Sequence, residues 1–213
     1  MSIGMILLII LSALILAGAM ERVLDRMALT DRQALAIAAA IFIGGWLPEI
    51  DLGRVTLNIG GAVIPLIVCV YLLVHAGTGK ERIRAIVASC LTAAAIFAIS
   101  LILPADPVSM PMLDPMILYG IAGGLIAWLL GRSRRSAFVA GVLGVTLADL
   151  ITGASLWLRG VDQTIHLGGA GALDAVVLAG VIGVLCCELF GEIMERMQRG
   201  KAENPPIEGG SRA

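Results

Sequence analysis

Long apolar runs separated by short polar connections dominate this chain. Seven of the runs approach the length of about 20 apolar residues (roughly 17–25) that an α-helix needs to cross a bilayer. The pattern therefore predicts an all-α membrane protein with seven transmembrane helices. Their predicted bounds are 3–20, 33–48, 59–76, 83–103, 113–131, 136–153 and 168–190.

Two connections carry short alternating patterns of apolar and polar residues around a pair that contains glycine. They cover residues 49–58 and 155–167. Such patterns are typical of β-hairpins. Because an isolated hairpin is only marginally stable in water, we expect the two to pair or pack as a small cap on the outer face. A plain coil is the alternative.

The halves of the chain resemble each other. Asn58-Ile-Gly-Gly-Ala precedes the third predicted span, and His166-Leu-Gly-Gly-Ala precedes the seventh. This similarity predicts two parallel three-helix repeats about an axis along the membrane normal. The predicted organisation is a first repeat at 1–82, a linker helix at 83–103 and a second repeat at 104–200. The polar, Pro/Gly-rich segment 201–213 is expected to be a disordered cytoplasmic tail.

Composition supports the membrane class. The 213 residues are 59% hydrophobic and 15% charged, with mean hydropathy +0.97, against about 45–50% apolar and 25% charged in soluble domains. A net charge of -1 and only 4% aromatic residues argue against a nucleic-acid partner. Of the 15 basic residues, 13 fall on alternate connections and the tail. By the positive-inside rule, the N-terminus is outside and the protein is a multi-pass protein of the cell inner (cytoplasmic) membrane.

Two acids lie within the last two predicted spans. Asp149 is 13 residues above the predicted cytoplasmic start of the sixth span, about 20 Å at 1.5 Å per residue. Asp174 is six residues into the seventh span, about 9 Å below the outer surface. The two depths agree to within about 5 Å in a hydrocarbon core about 30 Å thick. Since ionisable residues inside a membrane are costly, the pair is a candidate site near the outer leaflet.

Three interpretations of this pair remain open. As an aspartyl dyad, one carboxylate would take a proton from water while the other, protonated, polarises a scissile carbonyl. As a transport site, the same acids would bind a proton or cation. As structural groups, they would cap broken helices. The implied partners are membrane lipid and either a membrane-embedded peptide or a small solute or ion. A homo-oligomer is also compatible with the sequence.

Other residues are candidates for substrate binding around the acids. Gly168, Gly169 and Gly171 remove side chains where a backbone must approach closely, for a substrate or for helix packing. His166 is a third candidate, with a solvated or capping role as the alternative. Two further candidates are Asp51, which would widen an acidic mouth, and Asn58, which is also suited to cap the third span. The four cysteines lack metal-ligand spacing, so the sequence predicts no metal and no cofactor.

Three segments together resemble a family of prokaryotic multi-pass membrane proteins known only as a domain of unknown function. They are Asn58 to Pro65, Gly144 to Leu150 and Gly168 to Asp174. The last two also resemble intramembrane aspartyl proteases of the presenilin and signal-peptide-peptidase type. Those proteins carry an Asp before a hydrophobic residue and a Gly-x-Gly-Asp motif, but two residues here separate Gly171 from Asp174. The three-plus-one-plus-three plan resembles small sugar and vitamin transporters, without their Pro-Gln motifs.

Overall fold

The computed structural model describes Met27 and residues 29–102, 115–171 and 174–203. Within them the chain is mainly helical. The helices are α1 (Asp31–Gly44), α2 (Ile64–Val74), α3 (Gly79–Ile102), α4 (Pro115–Gly131), α5 (Arg134–Leu158) and α6 (Ala175–Glu203), with a π-helical turn at Ile59–Val63 leading directly into α2. The first predicted span and most of the fourth connection lie outside the described residues.

Three described helices are long and apolar enough to cross a membrane. They are Gly79–Ile102, Arg134–Leu158 and the part of α6 from Ala175 to Met194. The segments Ile59–Val74 and Met116–Gly131 are shorter apolar helices. The prediction of a mainly helical protein is therefore confirmed, and three of its helices are candidate membrane spans.

Helix α5 is the centre of the bundle. It packs against α3, α4 and α6, and α2 also lies against it. Its buried valines Val139, Val142 and Val145 belong to one core cluster with Val176 of α6 and Cys69 of α2. Glycine and alanine on α5 let the neighbouring backbones approach closely, as at Gly141, whose added Cβ would lie 2.6 Å from the Ala179 carbonyl oxygen. Small residues at such contacts are what helix packing in a bilayer requires.

A three-stranded sheet covers one end of the bundle, which we call the sheet end. Strands β1 (Ile50–Asp51) and β2 (Val55–Leu57) form the first predicted hairpin, and β3 (Ile165–Leu167) pairs in parallel with β2. The prediction of a second hairpin at 155–167 is wrong. Helix α5 continues to Leu158 through the segment expected to form its first strand, so only β3 remains to pair with the first hairpin.

Basic residues gather at the opposite end, which we call the arginine end. The connection from α2 to α3 and the connection from α4 to α5 meet there, since the Ser133 hydroxyl donates to Glu81 at 2.8 Å and Arg135 donates to the carbonyl of His75 at 2.8 Å. Ser133 also caps α5 by accepting from the backbone N–H of Ser136. The two ends are separated by the length of α5, about 37 Å for 25 residues.

Two predicted boundaries are corrected. The seventh span does not begin at residue 168, because residues 168–171 form turns and α6 begins at Ala175. Gly168 and Gly171 have φ of 71° and 61°, which a continuing right-handed helix does not permit. At the other end, α6 continues to Glu203, three residues into the tail that was expected to be disordered. The rest of that tail lies outside the described residues.

Candidate functional site

A cavity of about 400 Å³ opens among α4, α5, β3 and the start of α6 at the sheet end. Its wall brings together Asp149, Asp174 and His166, three of the residues that the sequence selects. We call it the acid cavity. The lining residues are Met116, Tyr119, Asp149, Thr152, Gly153, Leu156, Gln163, Thr164, Ile165, His166, Asp174 and Ala175.

Asp149 projects from the second half of α5. It lies nine residues before the end of the helix at Leu158, about 14 Å along the axis. Its side chain is half-buried and makes no hydrogen bond with any described residue. Its carboxyl group is therefore available to a proton, an ion or a substrate in the acid cavity.

Asp174 occupies the position just before α6 and is buried, with 8% of the residue exposed. Its Oδ1 accepts from the backbone N–H of Val176 at 3.0 Å, and its Oδ2 accepts from the backbone N–H of Ala170 at 3.4 Å. Asp174 is thus the N-cap of α6. The sequence-based prediction that it lies inside the last helix is wrong. Two amide donors and the positive end of the helix dipole stabilise a negative charge on this carboxyl group.

His166 connects the rim of the acid cavity to the first hairpin. Its Nδ1 lies 3.1 Å from Oε2 of Glu49 and 2.8 Å from Oγ1 of Thr56. Hydrogen bonding of the Glu49 carboxylate, first to His166 and then to Thr56, holds the pKa of Glu49 below its usual value. Both partners meet the same ring nitrogen, whereas a hydroxyl–histidine–acid catalytic relay uses both nitrogens. The cluster therefore holds the sheet together and does not form such a relay.

The other predicted site residues do not line the acid cavity. Asp51 is exposed and its Oδ1 accepts from the backbone N–H of Gly53 at 2.7 Å, which shapes the hairpin turn. Asn58 is buried and caps the π-helical turn by accepting from the backbone N–H of Gly61 at 2.9 Å, so its predicted capping role is confirmed. Gly169 is exposed beside His166.

The glycine-rich segments make backbone contacts with one another. A Cβ added to Gly61 would lie 2.2 Å from the carbonyl oxygen of Gly168, and one added to Gly168 would lie 2.4 Å from the backbone nitrogen of Ala62. A Cβ on Gly171 would lie 2.9 Å from the Cα of Gly45 at the end of α1. These contacts position the segment that leads into Asp174 against the first half of the chain.

Four polar residues that line the acid cavity were not predicted from the sequence. They are Tyr119, Thr152, Gln163 and Thr164. Helical spacing would have found one of them, because Thr152, Gly153 and Leu156 follow Asp149 by three, four and seven residues and so share its face of α5. No local signal identifies Tyr119, since its place depends on how α4 packs against α5.

The part of the chain that the structure describes contains no group of three or more His, Cys, Asp or Glu residues placed to hold a metal ion. The chemistry that this arrangement offers is that of two carboxyl groups on one cavity wall. Asp174 accepts hydrogen bonds from two backbone N–H groups, whereas Asp149 has no hydrogen-bond partner among the described residues.

A family model described as "Protein of unknown function (DUF1614)" matches residues 47–186, about two thirds of the chain. The matched region begins just before the first hairpin and contains all lining residues of the acid cavity. No curated protein and no solved structure matches the chain.

Proposed function

Because the chain belongs to the DUF1614 family, whose description names no activity, we propose a function from the chemistry of the acid cavity. Asp149 and Asp174 form the paired-aspartate site of an intramembrane hydrolase of the protease type. The observation that carries this proposal is that both carboxyl groups line one cavity of about 400 Å³. That volume lies within the range of about 300–1,000 Å³ that binding pockets in proteins span.

The two acids have different surroundings, and these suggest different roles. Burial disfavours a charge on Asp174, but the two backbone hydrogen bonds that it accepts at a helix N-terminus oppose this effect, and Asp149 accepts none from the described residues. Asp149 has no described donor to stabilise a charge, and two neighbouring carboxyl groups do not readily ionise together. Asp174 therefore acts as the base and Asp149 as the acid, the division of work expected when environments separate two carboxyl groups.

In the proposed reaction, Asp174 takes a proton from a water molecule whose oxygen attacks the scissile carbonyl carbon. Asp149 donates its proton to the carbonyl oxygen, which gives a neutral tetrahedral gem-diol. The C–N bond then breaks as Asp174 passes its proton to the leaving amine nitrogen and Asp149 recovers one from the diol. Water adds across the amide bond, and both acids return to their starting states.

The membrane arrangement is part of the same proposal. Seven spans with the N-terminus outside and the C-terminus inside place the sheet end and the acid cavity at the outer leaflet of the cytoplasmic membrane. The alternation of 13 of the 15 basic residues supports this orientation. The two similar segments lie side by side, because β2 ends just before Asn58 and pairs in parallel with β3, which contains His166; this proximity supports a relation between two three-helix repeats, with the strands paired two residues out of the repeat register.

The test is cleavage of membrane-spanning peptides by the full-length protein in liposomes, with the products identified by mass spectrometry. Reaction in H₂¹⁸O should place the heavy oxygen in the new carboxyl terminus. Asp149→Asn and Asp174→Asn should each abolish cleavage. Because asparagine is also a good N-cap, the second variant removes the acid while keeping the start of α6.

Asp162→Asn is the matched control, because Asp162 is an exposed acid at the sheet end and its ion pair with Arg54 is long, at 4.0 Å. It should leave cleavage unchanged. Cleavage that survives in either Asp149→Asn or Asp174→Asn, in folded protein, would refute the paired-aspartate hydrolase.

Proton- or cation-coupled transport is the second candidate function. It is favoured by the position of Asp149, a carboxyl group without a described hydrogen-bond partner in a cavity at one end of the bundle. A transporter open to the outside offers an ion the same kind of site. Proton or cation flux in the liposomes that depends on Asp149, in the absence of peptide cleavage, would decide for transport.

A further inference from the structure

A second cavity, of about 520 Å³, lies at the arginine end between α4 and α6. One wall is apolar and aromatic. The rings of Trp128 and Phe190 stack with their centroids 4.1 Å apart, and Leu129 and Met194 extend this wall. Arg132 and Arg134 also line the cavity and make part of its surface basic. We call it the basic cavity.

The two arginines of the basic cavity differ in how their charges are balanced. Arg134 forms an ion pair with Glu188, and both side chains are largely shielded from solvent, at 15% and 23% exposure. Arg132 is exposed and has no ion-pair partner among the described residues. The cavity therefore carries one positive charge that the described part of the protein leaves uncompensated.

Arg132 also has an unusual backbone conformation. Its φ is 57°, and among the described residues it is the one non-glycine residue with positive φ, whereas Gly53, Gly160, Gly168 and Gly171 occupy the other such positions. Arg132 follows the last residue of α4, a place where glycine adopts the left-handed conformation without steric cost. A residue held in this sparsely populated conformation at a cavity is a reason to propose a role for its side chain.

We propose that the basic cavity binds the headgroup of an anionic phospholipid, with Arg132 paired to its phosphate group. The stacked rings and the apolar residues beside them would contact the glycerol backbone and the first part of an acyl chain. Aromatic rings with one apolar and one wet side are suited to this depth of a membrane. Basic pockets between transmembrane helices bind anionic headgroups by this combination of charge and apolar contact.

Further basic residues at the arginine end add to the attraction. Lys80, Arg82 and Arg84 lie in the first two turns of α3, where Glu81 accepts a hydrogen bond from Ser133. Their long-range field favours an anionic over a zwitterionic headgroup, while Arg132 supplies the local contact. The proposal is independent of the hydrolase, because the basic cavity shares no lining residue with the acid cavity.

The test uses the delipidated full-length protein in neutral detergent. Phosphatidylglycerol should raise its Tm in a saturable manner and appear as a bound adduct by native mass spectrometry, whereas phosphatidylcholine should do neither. Arg132→Gly should weaken the phosphatidylglycerol affinity about fivefold, the effect of about one basic residue near an anionic surface. Its Tm without lipid should equal or exceed that of the wild type, because glycine relieves the strained backbone.

Two further variants separate charge from fold. Arg132→Lys, which keeps a positive charge, should retain most of the phosphatidylglycerol effect. Arg159→Gln removes an exposed arginine at the sheet end and should leave the effect unchanged. An undiminished effect in Arg132→Gly would overturn the proposal, and so would inorganic phosphate raising the Tm as much as phosphatidylglycerol does, because that would indicate a site for a soluble anion.

Discussion

The contact between Gly168 and the start of the π-helical turn provides a quantitative test of the fold. In Gly168→Ala, the new methyl group would lie 2.4 Å from both the backbone nitrogen of Ala62 and the carbonyl carbon of Gly61. Backbone atoms cannot rotate away as a flexible side chain does, so the segment that leads into Asp174 must shift. The substitution also places an L-residue at φ 71°.

The two costs are separable. A left-handed conformation costs an L-residue about 1–2 kcal/mol, and overpacking against a well-packed interior costs about 1–3 kcal/mol. Gly168→Ala should therefore lower the free energy of unfolding by about 2–5 kcal/mol. For a chain of this size, each kcal/mol corresponds to a decrease in Tm of about 2–4 °C.

Two glycines serve as controls for this measurement. Gly160 has φ 78° but no atom within 4 Å of an added Cβ, so Gly160→Ala should show only the conformational cost. Gly79 begins α3 with open space around it, and Gly79→Ala should change stability by less than about 0.5 kcal/mol. Thermal unfolding in detergent should rank Gly168→Ala at least about 2 °C below Gly160→Ala. Equal Tm values for these two variants would refute the close approach of residues 61 and 168.

Three further predictions concern polar contacts. Asp174→Ala should lower the free energy of unfolding by about 0.5–2 kcal/mol through loss of the α6 cap, and Asp174→Asn by less, measured by thermal unfolding. Hydrogen bonding to His166 lowers the pKa of Glu49, so the ionised Glu49 stabilises the folded protein above its usual pKa of 4.5, and this contribution is lost as the pH falls through the lowered pKa of the folded state. The Tm difference between wild type and Glu49→Gln should therefore shrink as the pH is lowered below 4.5. A Tm difference that stays constant with pH would contradict this. Arg134→Met should lower the free energy of unfolding by about 1–3 kcal/mol, because it leaves the partly shielded Glu188 carboxylate unpaired. The double variant with Glu188→Leu should recover most of that loss in a double-mutant cycle.

Local patterns predicted the helices well but placed some of their ends incorrectly. The apolar runs at 83–103 and 136–153 correspond to α3 and α5, although α5 begins two residues earlier and ends five later. The error at the start of α6 has a clear cause. A Gly/Ala-rich segment is apolar enough to continue a membrane helix, and only its packing against the π-helical turn leaves residues 168–171 in turns.

The residues that line the acid cavity were predicted in part. Sequence reasoning selected Asp149 and Asp174 because charges are costly in apolar helices, and it matched their depths by counting residues along each span. The sequence did not show that the two carboxyl groups have different surroundings. Asp174 accepts backbone hydrogen bonds from Ala170 and Val176 because the chain turns just before α6, and such a turn is not encoded by hydrophobicity alone.

The sequence by itself determined the apolar character of the helices, their approximate positions, the clustering of basic residues in alternate regions of the chain and the presence of two acids in apolar segments. These properties depend on residues close together in the chain, and hydrophobicity and charge act on them locally. The tertiary structure alone decided the parallel pairing of β2 with β3, the glycine contacts between distant segments and the two cavities. The strand pairing and the glycine contacts arise where segments about 110 residues apart meet, and the cavities form where α4, α5 and α6 pack together, so all of them depend on the packing of the entire bundle.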